Sequence, residues 1–65
     1  MPKYPQIKVK LAGLDDNAFS ILGRVSGALR RGGVPEQERS AFMKEATSGD
    51  YDHLLATCMD WVEAD

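Results

Sequence analysis

The chain has 65 residues, 43% of them hydrophobic and 28% charged, with a net charge of -2 and a single cysteine. This is the composition of a folded globular domain, and it excludes an intrachain disulfide, a closed structural zinc site (Cys58 and His53 are the only soft ligands) and a membrane-spanning apolar run. A chain this short hides only about 60% of the surface that its unfolded form exposes, so one domain over residues 1–65 is expected, with tight helix packing or oligomerisation supplementing a thin core.

From Gln6 to Leu11 the residues alternate, with Ile7, Val9 and Leu11 on one side and Gln6, Lys8 and Lys10 on the other. The pattern predicts a half-buried strand, preceded by Pro2 and Pro5 and followed by a turn at Gly13. Asp15, Asp16 and Asn17 are cap-type residues, and a helix is expected from there to about Arg31. Its buried residues are expected to be Ala18, Phe19, Leu22, Val25 and Leu29, with Ile21 and Ala28 beside them. Arg30 and Arg31 suit its last turn, and Gly32-Gly33 end it by permitting positive φ.

Pro35 fits the first position of a second helix, where Glu36 and Glu38 occupy the first turn and Phe42, Met43 and Ala46 form the apolar stripe. Thr47-Ser48-Gly49 close it. Asp50 then caps a third helix in which Tyr51, Leu54, Leu55, Cys58 and Trp61 or Val62 recur at spacings of three and four. The fold class expected is α+β, mostly helical, in the order β-α-α-α. A lone strand has unpaired edges, so it must pair in an oligomer or with an extended Trp61-Val62-Glu63 segment. Gly23 and Gly27 inside the first helix invite close approach of another backbone, which favours a second copy, with Ile7 and Val9 at the oligomer interface.

Charge is divided along the chain. Residues 1–33 carry six cations against two carboxylates, and residues 34–65 carry two against eight. Two solvated faces explain this; an anionic ligand on the basic half, or docking between copies, is the functional reading. Lys8, Lys10 and Gln6 on one strand face, followed by helices, resemble the base-reading strand of a ribbon-helix-helix repressor, although the acidic balance argues against nucleic acid. Asp50 and His53 at i and i+3 suit an acid-base pair, but an aspartate at a cap already has a structural purpose. Cys58 falls on an apolar face and is expected to be inert. With no phosphate-binding glycine loop, no nucleophile elbow and no H-E-x-x-H, neither catalysis nor a cofactor or metal is expected. The start of the chain lacks a signal-type apolar core, which predicts a cytoplasmic location.

Leu14-Asp15-Asp16-Asn17-Ala18-Phe19 with Leu22-Gly23, and Ala46-Thr47-Ser48-Gly49-Asp50-Tyr51-Asp52-His53-Leu54-Leu55, resemble a family of small uncharacterised proteins of phages, plasmids and bacterial genomes. The likeness runs from Ile7 to Val62, with Asp16 standing where the pattern has glycine. It carries no activity or site residue with it. It implies a mobile-element setting, in which a small non-catalytic protein binds host factors or sequesters small signals. The expected function is therefore an interaction module, a homo-oligomer acting on a protein partner. The alternatives are a nucleotide decoy and a DNA-binding regulator. For a ligand site the candidates are Arg24, Arg30 and Arg31 with the helix start at Asn17, Tyr51 or Trp61 to stack on a base, and His53.

Overall fold

The alternating N-terminal segment forms β1 (Tyr4–Val9), in which Ile7 and Val9 are buried while Gln6 and Lys8 are exposed. The computed structural model describes residues 1–11 and 17–65. After β1 come α1 (Ala18–Arg31), α2 (Glu36–Ala46), α3 (Tyr51–Trp61) and β2 (Val62–Ala64). The two strands pair in parallel, Tyr4 opposite Val62, Lys8 opposite Glu63 and Val9 opposite Ala64, with an irregularity between Tyr4 and Lys8. Parallel strands need a long crossover, and here all three helices supply it. Backbone bonds continue the pairing at both ends: Lys3 N–H donates to Asp60 O (2.8 Å), Leu11 N–H to Asp65 O (2.8 Å) and Asp65 N–H to Val9 O (3.0 Å).

This arrangement corrects the preference for a second copy as the partner of β1. The C-terminal segment turns extended directly after α3 and pairs with β1 inside the same chain. Ile7 and Val9, expected at an oligomer interface, lie in the chain's own core. Alternation shows that one strand face is buried but not whose helices bury it. The strand also starts earlier than Gln6 and takes in Pro5, which a strand paired on one side only tolerates.

Asn17 caps α1, its Oδ1 accepting the Phe19 N–H at 2.8 Å; Gly13, Asp15 and Asp16, expected at the turn and the cap, lie outside the described residues. The buried stripe is Ile21, Leu22, Val25, Ala28 and Leu29. Phe19, expected inside, is 83% exposed. At about 100° per residue it points about 120° away from Val25, well off the stripe. Within this one chain the interior glycines meet no other element's backbone. A Cβ at Gly23 would have nothing within 4 Å, and one at Gly27 would meet only the Arg31 guanidinium at 3.3 Å. The helix ends in a Schellman motif, with Val34 N–H donating to Leu29 O (3.0 Å), Gly33 N–H to Arg30 O (3.1 Å), and Val34 and Leu29 both buried.

Pro35 is the N-cap of α2, one residue earlier than expected, with its carbonyl accepting from Glu38 and Arg39 N–H. Only Phe42 and Ala46 of this helix are buried, so the expected stripe loses Met43 to the surface. Asp50 caps α3 through Oδ1 to His53 N–H at 2.9 Å. Leu54 and Cys58 are buried as expected; Leu55 and Trp61 are half-buried, and Tyr51 is exposed instead. Thr57 is buried too, its hydroxyl satisfied by donating back to His53 O at 2.8 Å. Phe42, Leu29, Val25, Val62 and Cys58 form the sealed centre, and Trp61 meets Phe42 edge-on at 5.5 Å between ring centroids. The radius of gyration of 10.5 Å is that of a compact domain of this length, about 11 Å. Among the described residues no helix is long and apolar enough to cross a membrane.

Candidate functional site

The start of α1 builds the most distinctive surface. Asn17 fixes the first turn, and the tilt of the buried stripe leaves Phe19 standing out of the helix. On one side of Phe19 lies a groove of about 260 Å³, lined by Ala18, Leu22, Ala46, Tyr51 and Leu54 and predominantly apolar. α1 supplies one wall; the end of α2 and the start of α3 supply the other. On the other side lies an open dip of about 380 Å³ whose floor is the bare backbone of Gly23, bounded by Phe19, Ser20, Arg24 and Arg31. Phe19 is thus a ridge shared by an apolar groove and a cationic dip. An exposed aromatic at such a junction is the kind of group that anchors a binding partner.

Of the ligand-site candidates, the structure brings Arg24 and Arg31 together in the dip and places Tyr51 at the groove. Arg30 is exposed, apart from both. Asn17 is engaged as the α1 cap. Trp61 is at the opposite end of α3 from Tyr51, about 15 Å along the axis, and cannot share a ligand with it. Phe19 is the residue that sequence reasoning missed, having assigned it to the core; its angular offset from the Val25 stripe was the available signal.

His53 closes the α2–α3 turn. Its ring Nε2 lies 2.8 Å from Glu45 Oε2 and 3.1 Å from Glu45 O, two acceptors that assign the proton to this nitrogen. The Ser48 hydroxyl donates to Glu45 O at 2.7 Å and lies 3.2 Å from the same Nε2. A catalytic serine-histidine-carboxylate set needs the hydroxyl and the carboxylate on different ring nitrogens. Here both crowd onto one, and Asp50 meets only the His53 backbone, the structural purpose that its position as a cap favoured over an acid-base pair. Gly49 makes room for the ring, since a Cβ there would lie 2.9 Å from His53 Cβ.

Trp61 belongs to a strap that holds the N-terminus down. Lys3 Nζ sits 4.5 Å from the centre of its ring and 2.6 Å from Glu38 Oε1, and the Tyr4 hydroxyl donates to the same oxygen at 3.2 Å. Hydrogen bonds from Lys3 and then Tyr4 lower the Glu38 pKa. The Glu38 bond raises that of Lys3, whereas Tyr4 is raised by desolvation first and by Glu38 second. Cys58, sealed in the core, has its thiol pushed up to about 11 by desolvation.

Lys8 and Lys10 border a shallow concavity of about 570 Å³ on the sheet, but Glu63 and Asp65 border it too. The basic strand face is therefore offset by carboxylates from β2 and the residue after it. Among the described residues no three His, Cys, Asp or Glu side chains converge in a way that could hold a metal ion. No protein-family model, curated protein or solved structure matches the chain.

Proposed function

We propose that the chain is a small non-catalytic interaction module that binds a protein partner through the Phe19 ridge and the Tyr51-lined groove beside it. The observation that carries this reading is the exposure of Phe19, 83%, next to an apolar groove that the half-exposed Tyr51 also lines, whereas Phe42, Trp61 and Tyr4 pack into or against the core. Isolated exposed apolar residues need no explanation, but one continuous with an apolar groove does. The groove lies where the start of α1, the end of α2 and the start of α3 meet, so its walls are supplied chiefly by regular elements. β2 fills the place expected of a second copy, and the reading calls on none. The setting proposed is the phage or mobile-element one that the sequence resemblance implies.

A nucleotide decoy is the second reading, because an aromatic face beside Arg24 and Arg31 also suits a stacked base and its phosphate. A DNA-binding role is less favoured, since β1 pairs in parallel within the chain and Lys8 and Lys10 share a concavity with Glu63 and Asp65. Selection of a displayed random-peptide library on the immobilised chain tests the first reading. Binders lost on Phe19→Ala and Tyr51→Ala but kept on Met59→Ala are expected, Met59 being an exposed apolar residue away from the groove. No binders, or binders indifferent to Phe19, would contradict it. A thermal shift with cyclic or linear nucleotides that vanishes in Arg24→Ala/Arg31→Ala would install the second reading instead.

A further inference from the structure

We infer that the partner segment is acidic: an extended or helical peptide that seats an apolar side chain in the groove and lays carboxylates over the dip floored by Gly23. The inference rests on the interaction-module reading and deepens it by naming the chemistry of the partner. Phe19 lines both depressions, so a ligand seated against one of its faces emerges beside the other. α1 carries Arg24, Arg30 and Arg31 and no carboxylate, although the chain as a whole is acidic. Arg24 and Arg31 flank the dip, and Gly23 offers no side chain over its floor, so a partner's backbone or carboxylate can approach the helix closely. Guanidinium groups pair with carboxylates in a planar, two-bond geometry that lysine does not reproduce.

A polyanionic nucleic acid fits less well. The dip presents two arginines, and the groove on the far side of Phe19 includes Asp50, with Asp52 exposed two residues on, against the continuous basic track that phosphates require. In a peptide, the anchor and the charges are separate side chains and can be distributed to match.

The test uses the same displayed library and reads what it selects. Enrichment of an aromatic or aliphatic residue together with Asp or Glu is expected. The synthetic peptide should bind roughly tenfold more weakly to Arg24→Glu/Arg31→Glu, and more weakly as salt is raised. These arginines are exposed, and thermal melting of the variant checks that it is folded. Peptides without carboxylates, or affinities unmoved by the double charge reversal but abolished by Phe19→Ala, overturn the acidic partner and leave the interaction module standing. Absence of any Phe19-dependent binder overturns both. Oligothymidylate binding more tightly than the selected peptide assigns the surface to nucleic acid, and self-association removed by Phe19→Ala assigns it to a second copy; either result overturns the inference.

Discussion

A methyl group added at Gly32 would lie 2.6 Å from Cδ1 of Ile7 and 3.0 Å from its Cγ1, whereas at Gly33 nothing stands within 4 Å but φ is +83°. The adjacent glycines end α1 for different reasons, one steric and one conformational. Gly32→Ala must displace a buried strand residue and is expected to cost about 1–3 kcal/mol; Gly33→Ala costs about 1–2 kcal/mol through backbone strain, and urea unfolding at constant slope measures both. The aromatic pair gives a sharper contrast. Phe42→Ala, at 0% exposure, should cost about 3–5 kcal/mol and leave so small a domain largely unfolded, whereas Phe19→Ala should leave the melting midpoint nearly unchanged. A large loss at Phe19 would make it a packing residue and remove the candidate site. Cys58, buried and with its thiol pushed up to about 11, should resist a thiol reagent at neutral pH until denaturant is added.

The side chains of Asn17 and Asp50 cap the N-termini of α1 and α3, and the strap of Lys3, Tyr4 and Glu38 ties β1 to α2. Glu38 titrates below its ordinary value of 4.5 in the fold, so its contribution is present above that value and is lost as pH falls through the lower, folded one. Lys3 and Tyr4 are raised, so theirs is full below about pH 10 and is lost as pH rises through their folded values. The difference in stability between the native chain and Glu38→Gln should therefore be flat between these limits and shrink at both ends. Parallel profiles would show that the strap contributes nothing. Caps and turns were the part of the fold most legible in the sequence, because Asn17, Asp50 and Gly33 act through local chemistry that their identity declares. β2 was legible only as an alternative. Three residues have no periodicity to read, and Val62 continues the apolar spacing of α3 although it is buried through the sheet.

For the whole molecule, the division of charge seen along the chain survives in space only at α1, which carries three arginines; at the sheet Lys8 and Lys10 share a concavity with Glu63 and Asp65. With one edge of β1 paired to β2, the free chain is expected to sediment as a monomer at micromolar concentration; a stable dimer would mean that the other sheet edge or a second surface joins two copies. Arg24, Arg31 and Tyr51 were identifiable from residue type, but their neighbours were not. Which side chains share a depression depends on how α1 is rotated about its axis, and that follows from core packing against β1, α2 and α3. The claim that the Phe19 ridge is the binding surface is tested most directly by amide shift mapping with a library-selected peptide. Perturbations concentrated at Ala18 to Arg24 and Tyr51 to Leu54 are expected. Shifts centred instead on Lys8, Lys10, Glu63 and Asp65 would contradict it.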